Sequence, residues 1–229
     1  PRSREILSKL TKTDLSNDGF PFATSQEIEI GYTNVIANRL TYIGELGWEL
    51  FIPVEYSLNV FDNLMRVGEE FGLKPAGYHA LEHLRSERAY REYELDLTPE
   101  DTPLEAGLGF TIDWNKPGGF VGLEALLKQK ENGLLKKRLV CFRLVDTKTA
   151  LWHEEIIYRN NKIVGYVSSG AYSFNLGSSV ALGYVKNIDG ISNEFIENGN
   201  WEIESAGVRY KAEANLKPFY DPNGEKIKG

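Results

Sequence analysis

The sequence predicts an α+β chain: a sheet with two packed helices in its first part, then a small all-β unit. Three observations predict it. Apolar and polar residues alternate over Glu27–Ile30, and the pattern resumes over Asn34–Tyr42 after Gly31, as in half-buried strands. Val54, Leu58, Phe61, Leu64, Met65 and Phe71 recur at helical spacing. From Arg138 onward, short strand-like runs alternate with turn signals of the Arg159–Asn160–Asn161 and Ile188–Asp189–Gly190 kind, the pattern of a small barrel or sandwich.

The elements follow in order. Pro1–Leu10 reads as a helix with Ser3 as its N-cap and Ile6, Leu7 and Leu10 on one face. Asn17, Asp18, Gly19 and Pro21 break the chain into a loop. Two strands, Val35–Tyr42 and Trp48–Ile52, are expected to be joined by a short turn holding Gly44 and Gly47. Pro53 ends the second strand and opens an amphipathic helix over Val54–Phe71, stopped by Gly72 and Pro75. A second helix is expected over Tyr78–Tyr93, with Leu81 and Leu84 inward. After the breakers Pro99 and Pro103, Val121–Asn132 reads as a helix closed by Gly133. The later strands are Ile156–Tyr158, Lys162–Ser168, Val180–Val185, Trp201–Ser205 and Val208–Ala214. The boundary between the two parts falls near residues 134–137, giving domains 1–136 and 137–229.

Composition excludes several classes. The 229 residues carry a formal net charge of −7, against a general nucleic-acid binder, and the one basic run, Lys136–Lys137–Arg138, simply precedes a strand. No run reaches the ~20 apolar residues that a membrane-spanning helix needs. The single cysteine, Cys141, rules out an internal disulfide framework, and its apolar setting reads as a buried, inert thiol in a reducing compartment. A chain that opens at Pro1 on a helix is expected to be a piece of a longer protein, although processing or editing would give the same start.

The stretch Thr41–Leu50 carries the chemistry of interest. Glu49 sits inside the apolar run Trp48–Ile52. Read alone, it is either the solvent side of a half-buried strand or a carboxylate at a pocket wall. In the second case its two oxygens would accept paired hydrogen bonds from a flat amino-heterocycle. Tyr42-Ile43-Gly44-Glu45-Leu46-Gly47-Trp48-Glu49 resembles the Y-x-G-E-x-G-x-E segment of the glycine-cleavage T-protein family, and the chain looks most like the T-protein-like half of sarcosine and dimethylglycine dehydrogenases. Thr102–Gly107 resembles the family's T-P-x-E segment, and Gly165–Gly170 its G-x-V-x-S-G stretch, so the resemblance spans nearly the whole chain.

That resemblance implies a T-protein-like folate-binding domain fragment followed by a β-barrel. It implies tetrahydrofolate as cofactor, with Glu49 as pterin acceptor, Tyr42 as ring neighbour, and Gly44 and Gly47 shaping the turn between them. It further implies FAD in a flavin domain upstream and an N-methyl amine substrate, with the oxidised methyl group passed to tetrahydrofolate as 5,10-methylenetetrahydrofolate. The expected location is the cytoplasm, or the mitochondrial matrix in a eukaryote. Two departures matter. The family's catalytic aspartate belongs to a segment preceding this chain, so no catalytic residue is assigned. The family arginine four residues before Arg85 is replaced by Leu81, which fits the dehydrogenase branch better than a glycine-cleavage aminomethyltransferase. A third possibility is a non-catalytic module like the regulatory subunit of pyruvate dehydrogenase phosphatase, which shares the architecture. Glu49 and the Lys217–Gly229 tail favour the enzyme branch.

Other constellations are set aside. His79-Ala80-Leu81-Glu82-His83 matches H-x-x-E-H, which on a helix places two histidines one turn apart, but no third protein ligand is marked and no metal is expected. Gly118–Gly119 lacks the strand-then-helix setting of a dinucleotide fingerprint. Arg85 and Glu87 read as part of a salt-bridged helix that pins the sheet, with direct ligand contact as the alternative.

Overall fold

The computed structural model describes residues 1–229. They form two compact units, Pro1–Leu81 with Asn223–Gly229, and Glu82–Pro222.

In the first unit three antiparallel strands, β1 (Ser25–Ile30), β2 (Thr33–Asn38) and β3 (Glu49–Phe51), form a sheet with β2 in the centre. β1 and β2 pair from Ile30↔Thr33 outward, leaving a two-residue turn whose first member, Gly31, has φ 63°. The amide of Tyr32 donates to Asn59 of the following helix. The sheet buries Ile28, Ile30, Val35 and Ala37 against Leu7 of helix α1 (Ser3–Leu7) and Val60 of α2 (Ser57–Gly68). The opposite face, with Glu27, Ile36, Glu49 and Phe51, is exposed.

Three expectations for this unit need correction. Ser3 does not cap α1. It lies inside the first turn, and its hydroxyl donates to the carbonyl of Leu46 at 2.6 Å. The amphipathic helix is present, continued at both ends by 3-10 turns (Val54–Tyr56 and Glu69–Phe71), but only part of the apolar stripe turns inward, with Leu64 packed against the core. Val54 is 83 % exposed and Leu58 69 %, while Val60 is fully buried. β2 stops at Asn38, because Arg39 and Leu40 leave the sheet, so a ten-residue loop takes the place of the short turn.

The second unit is built on a closed antiparallel barrel. Its strands are β4 (Lys137–Leu144), β5 (Ile156–Arg159), β6 (Lys162–Ser173), β7 (Ser178–Lys186), β8 (Trp201–Ser205) and β9 (Val208–Asn215). They run in the order β4-β7-β6-β5-β8-β9, and β9 closes onto β4. Asn160 and Asn161, at φ 50° and 63°, make the β5–β6 turn; asparagine tolerates this left-handed conformation. Val140, Phe142, Leu144, Ile157, Val167, Val185, Trp201 and Ile203 fill the interior. α5 (Asn193–Glu197), capped by Ser192 accepting from the Phe195 amide at 3.0 Å, was not expected from sequence.

The Gly165–Gly170 stretch has a packing cause. A Cβ on Gly165 would collide with the Tyr184 carbonyl, and one on Gly170 would lie 2.7 Å from the Leu151 carbonyl carbon. Glycine is needed where backbones approach this closely. Gly165→Ala is expected to destabilise the barrel by about 1–3 kcal/mol, from the overpacking it forces. Urea unfolding checks this, and an unchanged midpoint would refute the packing account.

Helix α3 (Tyr78–Glu87) is shorter than its expected span of Tyr78–Tyr93. It ends where Ala89 takes φ 54°, with the Ala89 amide donating to Ser86 and the Tyr90 amide to Arg85, a left-handed stop usually marked by glycine. Leu81 and Leu84 are half-buried; the fully buried residues are Arg85, Ser86 and Glu87. Thr102 and Glu105 cap each other's backbone amides at 3.2 and 3.0 Å, a capping box that accounts for the T-P-x-E segment. α4 (Leu123–Glu131) ends before Gly133, at φ 87°.

Candidate functional site

The loop between β2 and β3 carries the sequence-predicted site residues. Gly44 has φ 74° and is buried, so a side chain there would be strained. Gly47 is different: a Cβ would meet nothing nearer than 3.8 Å, so neither conformation nor space demands glycine. Tyr42 is half-buried in the loop rather than in a strand. Glu49 opens β3 directly opposite Asn38. Its side chain is exposed and makes no hydrogen bond or ion pair, which leaves both oxygens free to accept. Ile36 and Phe51, paired one step along the same exposed face, are 52 % and 58 % exposed and form an apolar surface beside the carboxylate.

Sequence reasoning missed what holds this loop. Arg39 is fully buried. Its guanidinium donates to the carbonyls of Gly47 and Lys228, each at 3.2 Å, and stacks 4.5 Å over the Trp48 ring. Trp48 in turn meets Phe20 edge-on at 6.1 Å. No carboxylate pairs with Arg39; burial lowers its pKa, and the positive charge of Arg4 lowers it further. The only signal in sequence was a charge inside the apolar run Val35–Tyr42.

A second polar cluster lies in the unit Glu82–Pro222. Arg85, 1 % exposed, donates to Asp96 at 2.6 Å, Glu82 at 2.6 Å and Glu92 at 2.9 Å, and to the Ser169 hydroxyl. Burial opposes its charge, but the hydrogen bonds it donates to Glu82 and Asp96, with the negative charge of both carboxylates, outweigh that and raise its pKa. Asp96 also accepts from the hydroxyls of Ser168 and Ser169. A bulge in β6 between Val167 and Ser169 gives both serines this partner. Glu87 accepts from Ser173 at 2.7 Å and from the amide and side chain of Asn175, tying the helix to the β6–β7 turn. Arg85, Asp96, Glu87 and the three serines satisfy one another, as a structural network does.

The H-x-x-E-H residues have other partners. Glu82 is held by Arg85, and His83 Nδ1 lies 2.9 Å from the Tyr172 carbonyl. Cys141 is buried, and burial pushes its thiol up to about 12. No helix is long and apolar enough to cross a membrane.

Two family models match this chain: "GCVT N-terminal domain" over residues 1–116 and "Glycine cleavage T-protein C-terminal barrel domain" over residues 137–221. The chain belongs to the glycine-cleavage T-protein family. Among its relatives it is 41 % identical over 231 residues to the mitochondrial sarcosine dehydrogenase of Homo sapiens, covering all of this chain and 25 % of that protein. It is 40 % identical over 230 residues to the mitochondrial pyruvate dehydrogenase phosphatase regulatory subunit of Mus musculus, covering 95 % of this chain and 26 % of that protein. The chain thus spans about a quarter of the length of these curated relatives. The crystal structure of glycine cleavage system aminomethyltransferase T from Bartonella henselae shares the fold, with a TM-score of 0.78 and 21 % identity over 95 % of this chain and 57 % of that one.

Proposed function

We propose that this chain is the tetrahydrofolate-binding part of an FAD-dependent N-methylglycine dehydrogenase, acting on sarcosine or dimethylglycine. The observation that carries the reading is the unpaired Glu49 carboxylate on an open sheet face beside Ile36 and Phe51. A pterin presents adjacent N–H donors on a flat apolar ring; Glu49 offers two acceptors and the neighbouring side chains an apolar surface. Tyr42 borders the ring, and Gly44 lets the loop turn between them. Bound tetrahydrofolate would supply the nucleophilic nitrogens that accept a one-carbon unit. The residues of this chain bind and orient it.

Leu81, in place of the family arginine, favours this branch over aminomethyl transfer. A purely regulatory role, suggested by the name of the mouse relative, gives no account of an unpaired Glu49. The test uses the full-length gene product with a panel of N-methyl glycines. The expected result is methylenetetrahydrofolate formation dependent on both amine and tetrahydrofolate. A flavin-containing protein that oxidises the amine equally well but releases only formaldehyde, at saturating tetrahydrofolate, would refute the folate role.

A further inference from the structure

We propose that Arg39 is the positioning residue of the candidate site, and that the segment Asn223–Gly229 acts with it to set the loop that presents Glu49. The role in ligand binding rests on the reading of Glu49 as a pterin contact; the tether itself does not. A buried guanidinium without a carboxylate is costly, and an apolar residue of similar volume would often give a more stable fold. What Arg39 supplies instead is a fixed fork of donors. One Nη reaches the Gly47 carbonyl, inside the loop, and the other reaches the Lys228 carbonyl, in the distant segment. The face of the guanidinium covers Trp48, the residue next to Glu49.

The distant segment is anchored independently. Ile227 is buried, Gly229 lies against Leu46 and Arg4, and Arg4 also bonds Asn17 at 2.6 Å. Ser3 fixes the Leu46 carbonyl from the other side. Leu46, Gly47 and Trp48 are therefore held in sequence by α1, Arg39 and the 223–229 segment, and Glu49 enters β3 directly after them. Lysine at position 39 has the charge but a single ammonium point, so it cannot serve both carbonyls with the same geometry.

The experiment compares Arg39→Met, Arg39→Lys and Ile227→Asp in the full-length gene product, with Glu49→Gln as control. Amide hydrogen exchange over residues 40–49 reads the tether, and titration with 5-formyltetrahydrofolate reads the site. Both Arg39→Met and Ile227→Asp are expected to speed loop exchange about tenfold or more, leaving the barrel strands unchanged. Each is expected to weaken binding roughly fivefold or more, Arg39→Lys by less than Arg39→Met, and Arg39→Met combined with Ile227→Asp no more than the worse single one. Unchanged loop exchange overturns the tether. Faster exchange with unchanged affinity, while Glu49→Gln loses affinity, overturns the positioning role. If Glu49→Gln also keeps its affinity, the folate reading fails instead, and exchange alone decides whether Arg39 holds the loop. Should Arg39→Met not fold, Ile227→Asp carries the same two readouts.

Discussion

Arg85→Met is expected to cost the unit Glu82–Pro222 about 3–5 kcal/mol, the usual penalty for removing one partner of a buried ion pair. The loss is large because Asp96 is fully buried and keeps only hydroxyl and amide donors once the guanidinium is gone. Glu82 and Glu92, which share the same Nη2, would then face each other without a cation between them. For a chain of this size the change lowers Tm by about 6–20 °C. Arg85→Met combined with Asp96→Leu should recover part of the loss, because two apolar groups then replace the pair. A single Arg85→Met variant that melts with the parent would show that the network carries no net stability.

Glu49→Gln is expected to act on binding and leave stability unchanged. The carboxylate is exposed and unpaired, so no folded-state interaction is lost. Toward a pterin, a charged double acceptor becomes one acceptor and one donor, and the donor meets another donor. A loss of about 1–3 kcal/mol follows, or roughly five- to 150-fold in Kd. The same variant should unfold within about 0.5 kcal/mol of the parent, as surface substitutions do.

The barrel was legible because its strands are short apolar-rich runs and turns between them are signalled locally: Asn160–Asn161 and Gly190 needed no tertiary information. The end of α3 was not legible, because Ala89 adopts the conformation in which glycine is the usual sign. The buried side of α2 was only partly legible: Leu64, in the apolar stripe, packs against the core, but so does Val60, which lies outside the stripe, while Leu58 is exposed. Of the candidate site, Glu49, Tyr42 and Gly44 were proposed through resemblance, and they lie in or beside one loop. Arg39 and Lys228 were hidden for a physical reason. Their link runs from a side chain to a backbone carbonyl far along the chain, and a carbonyl leaves no mark on residue identity.

Isothermal titration of the full-length gene product with 5-formyltetrahydrofolate, parent against Glu49→Gln, decides whether Glu49 belongs to a folate site. The parent is expected to bind saturably, and the variant at least about fivefold more weakly at unchanged Tm. Equal affinity in the two proteins would contradict this and remove Glu49 from the folate site.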